Sequence, residues 1–313
     1  MKVTGLKEIL YFMKKFKHSE ITPENIYKNR RSFIKSIGLG ASSIAMTAIP
    51  FANNALSNEI DKPTSFKDIT TYNNYYEFGT SKSDPYIKSQ NFKTKPWDLS
   101  IEGEVDNPIK ISMEEISEMF VSEERILRLR CVEGWSMVIP WMGFSLSKLL
   151  SKVNLTARAK YVKFESVYDP DQMKGQRYPV LNWPYKEGLR IDEAMHPLTT
   201  VVTGLYNKKL PNQNGAPLRI FVPWKYGFKS AKAIVKIKLV ENMPTSSWMR
   251  SSPREYGFYS NVNPNVSHPR WSQATERVIG EGILSPRIET EMFNGYGDEV
   301  ANLYSGMDLK KNF

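Results

Sequence analysis

The sequence predicts an α+β fold, mainly β with short helices, folded as a single domain. Three observations predict it. Runs of strand length with period-two or continuous apolar character recur along the chain. The segments with helical periodicity are few and short. No glycine-rich G-x-G-x-x-G motif follows a strand, and strands do not alternate with long helices, so a doubly wound parallel sheet is disfavoured. With 313 residues, 41% of them hydrophobic and 24% charged, the chain is long enough for one substantial core.

The elements follow in order. Residues 58–98 are polar and irregular, with Pro63, Pro85 and Pro96 as breakers. A strand is predicted over Leu99 to Val105. Met113, Ile116, Met119 and Phe120 recur at helical spacing, which predicts a short helix over Ser112 to Phe120 with Ser112 as its cap. Arg125 to Glu133 alternates apolar and polar and reads as a half-buried strand, followed by a turn toward Pro140 and Trp141. Ser145 to Val153 reads as a second short helix. Strands are predicted over Tyr161 to Tyr168 and Thr199 to Leu205, a loop over Asn207 to Gly215, and a strand over Leu218 to Val222. Ala231 to Val240 is the clearest strand, with Ile234, Val235, Ile237, Leu239 and Val240. Residues 241–313 are poorly periodic, but Trp248, Tyr256, Phe258, Tyr259 and Trp271 favour a segment wrapped over the domain.

Charge excludes one class of function. Residues 1–55 hold nine Lys or Arg against three Glu, and the remaining 258 residues hold 34 basic against 30 acidic groups. The excess of +10 is therefore mostly N-terminal, and no basic stripe interleaved with aromatics marks a nucleic-acid surface. A mean hydropathy of −0.44 argues against a polytopic membrane protein. P-loop, H-E-x-x-H and C-x-x-C-H motifs are missing from the sequence, and three His are too few for a His-rich metal site. Cys131 is the only cysteine, which excludes an intramolecular disulfide and leaves a small buried hydrophobe or a thiol kept for chemistry.

The N-terminus reads as an address. Lys28-Asn29-Arg30-Arg31-Ser32-Phe33-Ile34-Lys35, followed by an apolar run from Ile37 to Phe51, resembles a twin-arginine export signal. Residues 1–55 are assigned to that signal, with cleavage between about Ala52 and Ser57, and residues 56–313 to the domain. The resemblance implies recognition by the Tat translocase, a periplasmic location and export in the folded state, with a cofactor already inserted.

The chemistry concentrates at Cys131. It ends a predicted strand beside Arg128 and Arg130, an electropositive setting expected to favour the thiolate, the form a thiophilic metal takes. Gly134 permits close backbone approach. The run Arg130-Cys131-Val132-Glu133-Gly134-Trp135-Ser136-Met137-Val138-Ile139-Pro140-Trp141 resembles the cysteine motif of the sulfite-oxidase-fold molybdopterin oxidoreductases. It is most similar to the catalytic subunits of periplasmic protein-methionine-sulfoxide reductases, where Ala is more usual at the Gly134 position. Further stretches carry the same resemblance in the same order: Thr70 to Phe78, Gln213 to Arg219, Val222 to Lys229 and Phe293 to Gly297.

The resemblance implies a sulfite-oxidase-type molybdopterin-binding fold and a molybdenum held by one protein thiolate, Cys131, and by a single pterin per chain. It places Asn73, Tyr76 and Glu77 on the pterin from the first loop and Ser166 where the family has a small hydroxyl residue. Asn214 and Arg219 are implied at the pterin and its phosphate, where Arg suits a planar fork of hydrogen bonds. Ser230, Ala231 and Lys232 are implied to supply backbone amides and a further cation. Read without the resemblance, Asn73 and Asn214 are turn residues, Arg219 a solvated strand residue and Tyr76 a core residue. Glu133 and Trp135 are expected on the substrate side.

The implied reaction is oxygen-atom transfer from methionine sulfoxide in oxidised periplasmic proteins, completed by two electrons and two protons that release water. The electrons are implied to come from a membrane haem b partner drawing on quinol. Two rival readings stand beside it. A sulfite oxidase or dehydrogenase, or another S- or N-oxide reductase of the same fold, uses the same cofactor. The acidic Glu133 after the cysteine disfavours sulfite, because an anion pocket calls for an arginine cluster. An exported binding protein without metal is the second rival, disfavoured by Cys131, Asn214 and Arg219 standing together.

Overall fold

Period-two burial organises the chain into two sheets. The computed structural model describes residues 62–282 and 286–313. The export-signal reading of residues 1–55 falls outside the described residues.

The first sheet holds β1 (Asp98–Gly103) and β2 (Ile109–Ser112). The second holds β3 (Glu123–Cys131) and β4 (Trp135–Ser145). Along the chain then come β5 (Tyr161–Ser166), β6 (Lys186–Arg190), β7 (Thr200–Leu205), β8 (Lys208–Lys209), β9 (Arg219–Phe221) and β10 (Ile234–Val240). The last strands are β11 (Thr275–Val278) and β12 (Ile288–Glu289). The five-stranded sheet has the order β2-β1-β10-β5-β6, with β10 parallel to β1 and antiparallel to β5. Alternate residues of β5 (Val162, Phe164, Ser166) and the apolar residues Leu99, Ile101, Ile234, Ile237 and Leu239 are fully or almost fully buried in the main core. The predicted α+β class with a mainly β body is therefore what is observed.

The seven-stranded sheet is built around β4. β3 pairs with it from Glu123↔Gly143 to Cys131↔Trp135. On the other edge β11 pairs at Trp135 and Ser136, and β7 pairs from Trp141 to Ser145. β4 was not legible as a strand. Ten of its eleven residues are buried, so it lacks the alternation that marks a half-exposed strand, and Pro140 argued for a turn. Pro140 sits where the neighbour on that edge changes, and its carbonyl accepts from Tyr206 N at 2.9 Å.

The segment 58–98, expected to be irregular, carries two helices, α1 (Phe66–Thr71) and α2 (Asp84–Lys88). Pro85 lies in the first turn of α2, where a missing N–H costs nothing, so it starts a helix instead of breaking one. α3 (Met113–Met119) has Ser112 as its cap as predicted. The Ser112 hydroxyl accepts from Glu115 N at 3.2 Å, and Glu115 Oε2 accepts from Ser112 N at 2.8 Å. α4 (Leu146–Leu150) matches the second predicted helix, and α5 (Ile191–Met195) was not foreseen.

The aromatic-rich tail wraps as expected. Tyr256 and Phe258 are buried, and β11 and β12 extend the second sheet. The Phe293-Asn294-Gly295 run fixes the tail with three consecutive left-handed residues, at φ 53°, 57° and 86°. The φ of Gly295 is one that glycine adopts without strain, and a Cβ there would also displace the ends of Glu291 and Arg128. The turn aims Asn294 Nδ2 at Arg128 O (3.1 Å) and Pro223 O (2.8 Å), tying the tail to β3.

Candidate active site

β3 delivers Cys131 to a tight turn before β4. Gly134 N closes the turn on Cys131 O at 3.0 Å, and Gly134 takes φ 77°, a left-handed value that glycine adopts without strain. The tail grips the same turn: the Val132 carbonyl accepts from Trp271 Nε1 at 2.7 Å and Gln273 Nε2 at 2.8 Å. Cys131 Sγ accepts from Asn74 Nδ2 and from Glu133 N, both at 3.4 Å.

The expected electropositive setting is not what surrounds the thiol. Arg130 is fully buried and turned away from Sγ. Its Nε donates to Glu276 Oε2 at 2.6 Å, its Nη2 to Gln273 Oε1 at 3.0 Å, and its Nη1 to the Cys131 carbonyl. Arg128 pairs with Glu291 at 2.7 Å. Burial first, then the charge of Glu133, pushes the Cys131 thiol up to about 12. The two arginines anchor the backbone of β3. A bound metal ion, which itself displaces a thiol proton, is what would make this thiolate.

Cys131 opens into a cavity of about 120 Å³. The structure brings Asn73, Tyr76 and Glu77 of the first loop, and Asn214, Arg219 and Lys232 of the later segments, onto its walls with Cys131. Asn214 Nδ2 donates to Asn73 Oδ1 at 3.1 Å and to Ile69 O at 3.0 Å, joining the two cofactor segments identified in the sequence. Arg219 is buried with its guanidinium 5.1 Å from the Trp141 ring centroid. It donates only to main-chain carbonyls, to Asn214 O at 2.9 Å and Ser230 O at 3.2 Å. Ser166, Ser230 and Ala231 do not line the cavity. They lie behind it: Ser166 Oγ donates to Lys232 O at 2.7 Å, and Ser230 N is already given to Gly227 O at 3.2 Å, so that amide is committed within the chain. Ala231 O accepts from Ile220 N at 2.8 Å. These three hold Arg219 and Lys232 in place.

The cavity is built for an anionic, hydrogen-bonding guest. Burial drives Arg219 down to about 10. Burial also pulls Lys232 down, with Arg219 adding to the effect, and it pushes Glu77 up while Lys232 opposes the shift. Buried Arg219 and half-buried Lys232 thus stand in one cavity with the buried carboxyl of Glu77. A second anion would relieve the like-charge cost between Arg219 and Lys232. Among the described residues, Trp141 Nε1 and Asn214 Oδ1 are buried side-chain atoms on these walls without a hydrogen-bond partner. Buried donors and acceptors are seldom left so unless a ligand completes them. A phosphate on the cations and a heterocycle with ring donors and acceptors against Trp141 and Asn214 fit this chemistry.

The mouth carries groups that the sequence did not reveal. Lys82 Nζ pairs with Glu133 Oε2 at 2.6 Å and donates to Asn74 Oδ1 at 2.6 Å. Trp135 Nε1 donates to Glu133 Oε2 at 3.2 Å. Burial works against the charge of Glu133, yet the hydrogen bond from Lys82, joined by Asn74 and Trp135, holds its carboxyl below the ordinary range. Tyr72 packs edge-on against Trp135 (5.1 Å), and Trp248 against Tyr76 (5.6 Å). Lys82 sits in an irregular loop where no period or motif marks it, so only folding shows its place. Lys82→Met is expected to lower kcat/KM for the sulfoxide about tenfold, equivalent to about 1.4 kcal/mol of transition-state stabilisation. Stability should hold, since a part-exposed pair contributes about 0–1 kcal/mol. Steady-state kinetics beside a thermal melt check this; unchanged kinetics would remove Lys82 from the site.

Comparison with known proteins agrees with this geometry. The oxidoreductase molybdopterin binding domain family matches residues 86–248. The chain is 54% identical to the protein-methionine-sulfoxide reductase catalytic subunit MsrP of Burkholderia mallei, over 94% of this chain and 95% of that one. It is 51% identical to the proteins of the same name from Ralstonia nicotianae and Xanthomonas axonopodis pv. citri. Those matches cover 94% of this chain and 95% and 97% of theirs. Among solved structures, the sulfane dehydrogenase SoxCD from Paracoccus pantotrophus is 14% identical with a TM-score of 0.43, over 63% of this chain and 49% of that one. That likeness is too slight to carry an argument.

Proposed function

This chain belongs to the molybdopterin-binding oxidoreductases and, within them, to the protein-methionine-sulfoxide reductase catalytic subunits; from that premise we propose how its own residues run the reaction. Cys131 is the single protein ligand of the molybdenum. Arg219 and Lys232 take the phosphate of one pterin, and Asn73, Asn214, Tyr76 and Trp141 meet its rings. The observation that carries this reading is the basic pair of buried Arg219 and half-buried Lys232 in one cavity with the only thiol of the chain. When bound, the group supplies an oxygen-atom acceptor and a two-electron redox centre.

The remaining work falls to this chain. Net reduction of a sulfoxide takes up two electrons and two protons and yields a thioether and water. Glu133, two residues after Cys131 and held ionised by Lys82 and Trp135, stands at the mouth as a fixed carboxylate that positions the Lys82 ammonium beside the thiol. Tyr72, Trp135 and Trp248 form an apolar rim that suits a thioether side chain and limits water. The substrate in this reading is methionine sulfoxide in oxidised proteins of the periplasm, reached by twin-arginine export of residues 1–55. Electrons come from a membrane haem b subunit that draws on quinol.

The test is elemental analysis of protein purified from a molybdopterin-competent host, with dye-coupled reduction of methionine sulfoxide on the same sample. About one molybdenum per chain with sulfoxide reduction is expected for one cysteine ligand and one pterin. Metal with turnover of sulfite alone would move the assignment to the oxidase reading. No metal would overturn the cofactor assignment.

A further inference from the structure

A second cavity, of about 260 Å³, lies beside the first and plays no part in the reaction described so far. The two share Val132, Phe228 and Tyr256 as walls. The partition is thin: Phe228 and Tyr256 meet edge to face at 5.2 Å, and Val132 is the residue after Cys131. Asn261, His268, Gln273 and, near the C-terminus, Leu309, Lys310, Asn312 and Phe313 also line the second cavity.

Two buried donors on its walls make no well-formed hydrogen bond among the described residues. Asn261 is 5% exposed, and its Oδ1 is fixed by Lys225 Nζ at 2.9 Å, which sets the orientation of the amide and leaves Nδ2 without a partner. His268 is 6% exposed, and its Nδ1 accepts from Arg270 N at 3.2 Å, so the ring proton sits on Nε2. That Nε2 lies 3.3 Å from Glu255 Oε2 but makes no hydrogen bond. The ring cannot swing freely, since it stacks on Trp271 at 3.8 Å. A buried N–H without an acceptor is rare in a folded protein, and two on the walls of one cavity call for a ligand that carries acceptors in series. Tyr226, Phe228, Tyr256 and Pro269 add apolar and aromatic surface around them.

We propose that this second cavity is a subsite for the peptide chain flanking the methionine sulfoxide, with its main-chain carbonyl oxygens accepting from Asn261 Nδ2 and His268 Nε2. The proposal rests on the reductase reading above and deepens it. A sulfoxide carried by a protein enters the first cavity with main chain attached on both sides, and the chain must leave past Val132, Phe228 and Tyr256. Main-chain carbonyls recur with every residue and are strong acceptors, so a site made of fixed N–H donors and aromatic walls binds peptide without demanding one sequence. The Val132 carbonyl is itself held by Trp271 and Gln273, so occupation of the subsite bears on the same segment that fixes the Cys131 turn.

The test separates substrates by size. Two variants are used: Ser267→Trp, at an exposed rim position, to fill the mouth of the cavity, and Asn261→Asp, which keeps the acceptor for Lys225 and removes the donor. Each is assayed as holoenzyme on free methionine sulfoxide and on a short blocked peptide with one internal methionine sulfoxide, beside a thermal melt. The wild type is expected to prefer the peptide. Both variants should lower kcat/KM for the peptide about tenfold, mainly through KM, and leave the free amino acid within about twofold. Equal losses on both substrates, or no loss on either, would overturn the subsite while leaving the reductase reading intact. A wild type that reduces neither substrate would sink that reading and the subsite with it.

Discussion

Replacing Cys131 with Ala is expected to give a folded chain that retains no molybdenum and reduces no sulfoxide. The physical case starts from what else the side chain does. Cys131 is 7% exposed at the end of β3, and its sulfur makes two long contacts, with Asn74 Nδ2 and the Glu133 amide. Removing one sulfur from such a place costs on the order of 1 kcal/mol in lost burial. The turn itself is held by Gly134 N on Cys131 O and by the buried Arg130 with Glu276, none of which needs the thiol. The fold should therefore survive. A soft metal ligand has no substitute nearby, since the chain has no second cysteine. Activity should fall by about a thousandfold or more, the scale of removing a group on which the rest of a site depends. Cys131→Ser, with a hard oxygen of similar size, separates ligation from packing: it should melt like wild type stripped of its metal and still fail to hold metal. Elemental analysis, a melt and dye-coupled kinetics on the three proteins decide the matter. Metal content equal to wild type in Cys131→Ala would remove Cys131 from the metal.

What the sequence revealed here depended on whether a signal was local. β5 carries its own alternation, β7 and β10 are short runs rich in β-branched residues, and Ser112 with Glu115 writes a helix start in four residues, so these were legible. β4 was missed because a strand buried on both faces has no period to see. The site divides the same way. Cys131, Asn73, Asn214 and Arg219 stand in recognisable runs, and the structure brings them onto one cavity. Lys82 and Asn74 act through partners that only folding supplies. The thiolate-favouring setting expected from Arg128 and Arg130 failed mainly because the fold buries Cys131, with the charge of Glu133 adding, while Glu291 and Glu276 pair with the two arginines from 163 and 146 residues away. Charge counted along a strand says little when the counter-charges arrive from a distant segment.

Glu193→Leu is expected to be the most destabilising single substitution proposed for this chain. Glu193 and Lys225 have fully buried side chains, paired at 2.6 Å. Lys225 Nζ also donates to Tyr259 O at 2.8 Å and Asn261 Oδ1 at 2.9 Å, while Glu193 Oε1 accepts from Tyr304 OH at 2.6 Å. The network joins α5, the segment between β9 and β10, and the tail, so it clamps the wall that carries Tyr226 and Phe228. Taking away Glu193 leaves an ammonium in the core with only neutral acceptors, a change that costs about 3–5 kcal/mol. Urea unfolding measures it. The double variant Glu193→Leu/Lys225→Met should recover much of the loss, since no uncompensated charge remains buried. The pH dependence has a definite sign. Burial already holds Lys225 down to about 8 against the pull of Glu193, and without Glu193 it falls further. A lysine whose folded value lies below its unfolded value of about 10.4 leaves the unfolded chain binding the extra proton between the two, so stability rises with pH across that window. The deficit of Glu193→Leu should thus be largest at and below neutrality and close as pH rises through about 8, above which Lys225 is uncharged in both folded proteins, whereas the double variant should lack that slope. A single variant within about 1 kcal/mol of wild type at neutral pH would mean that the pair is not a buried ion pair and that the wall between the two cavities is held by packing alone.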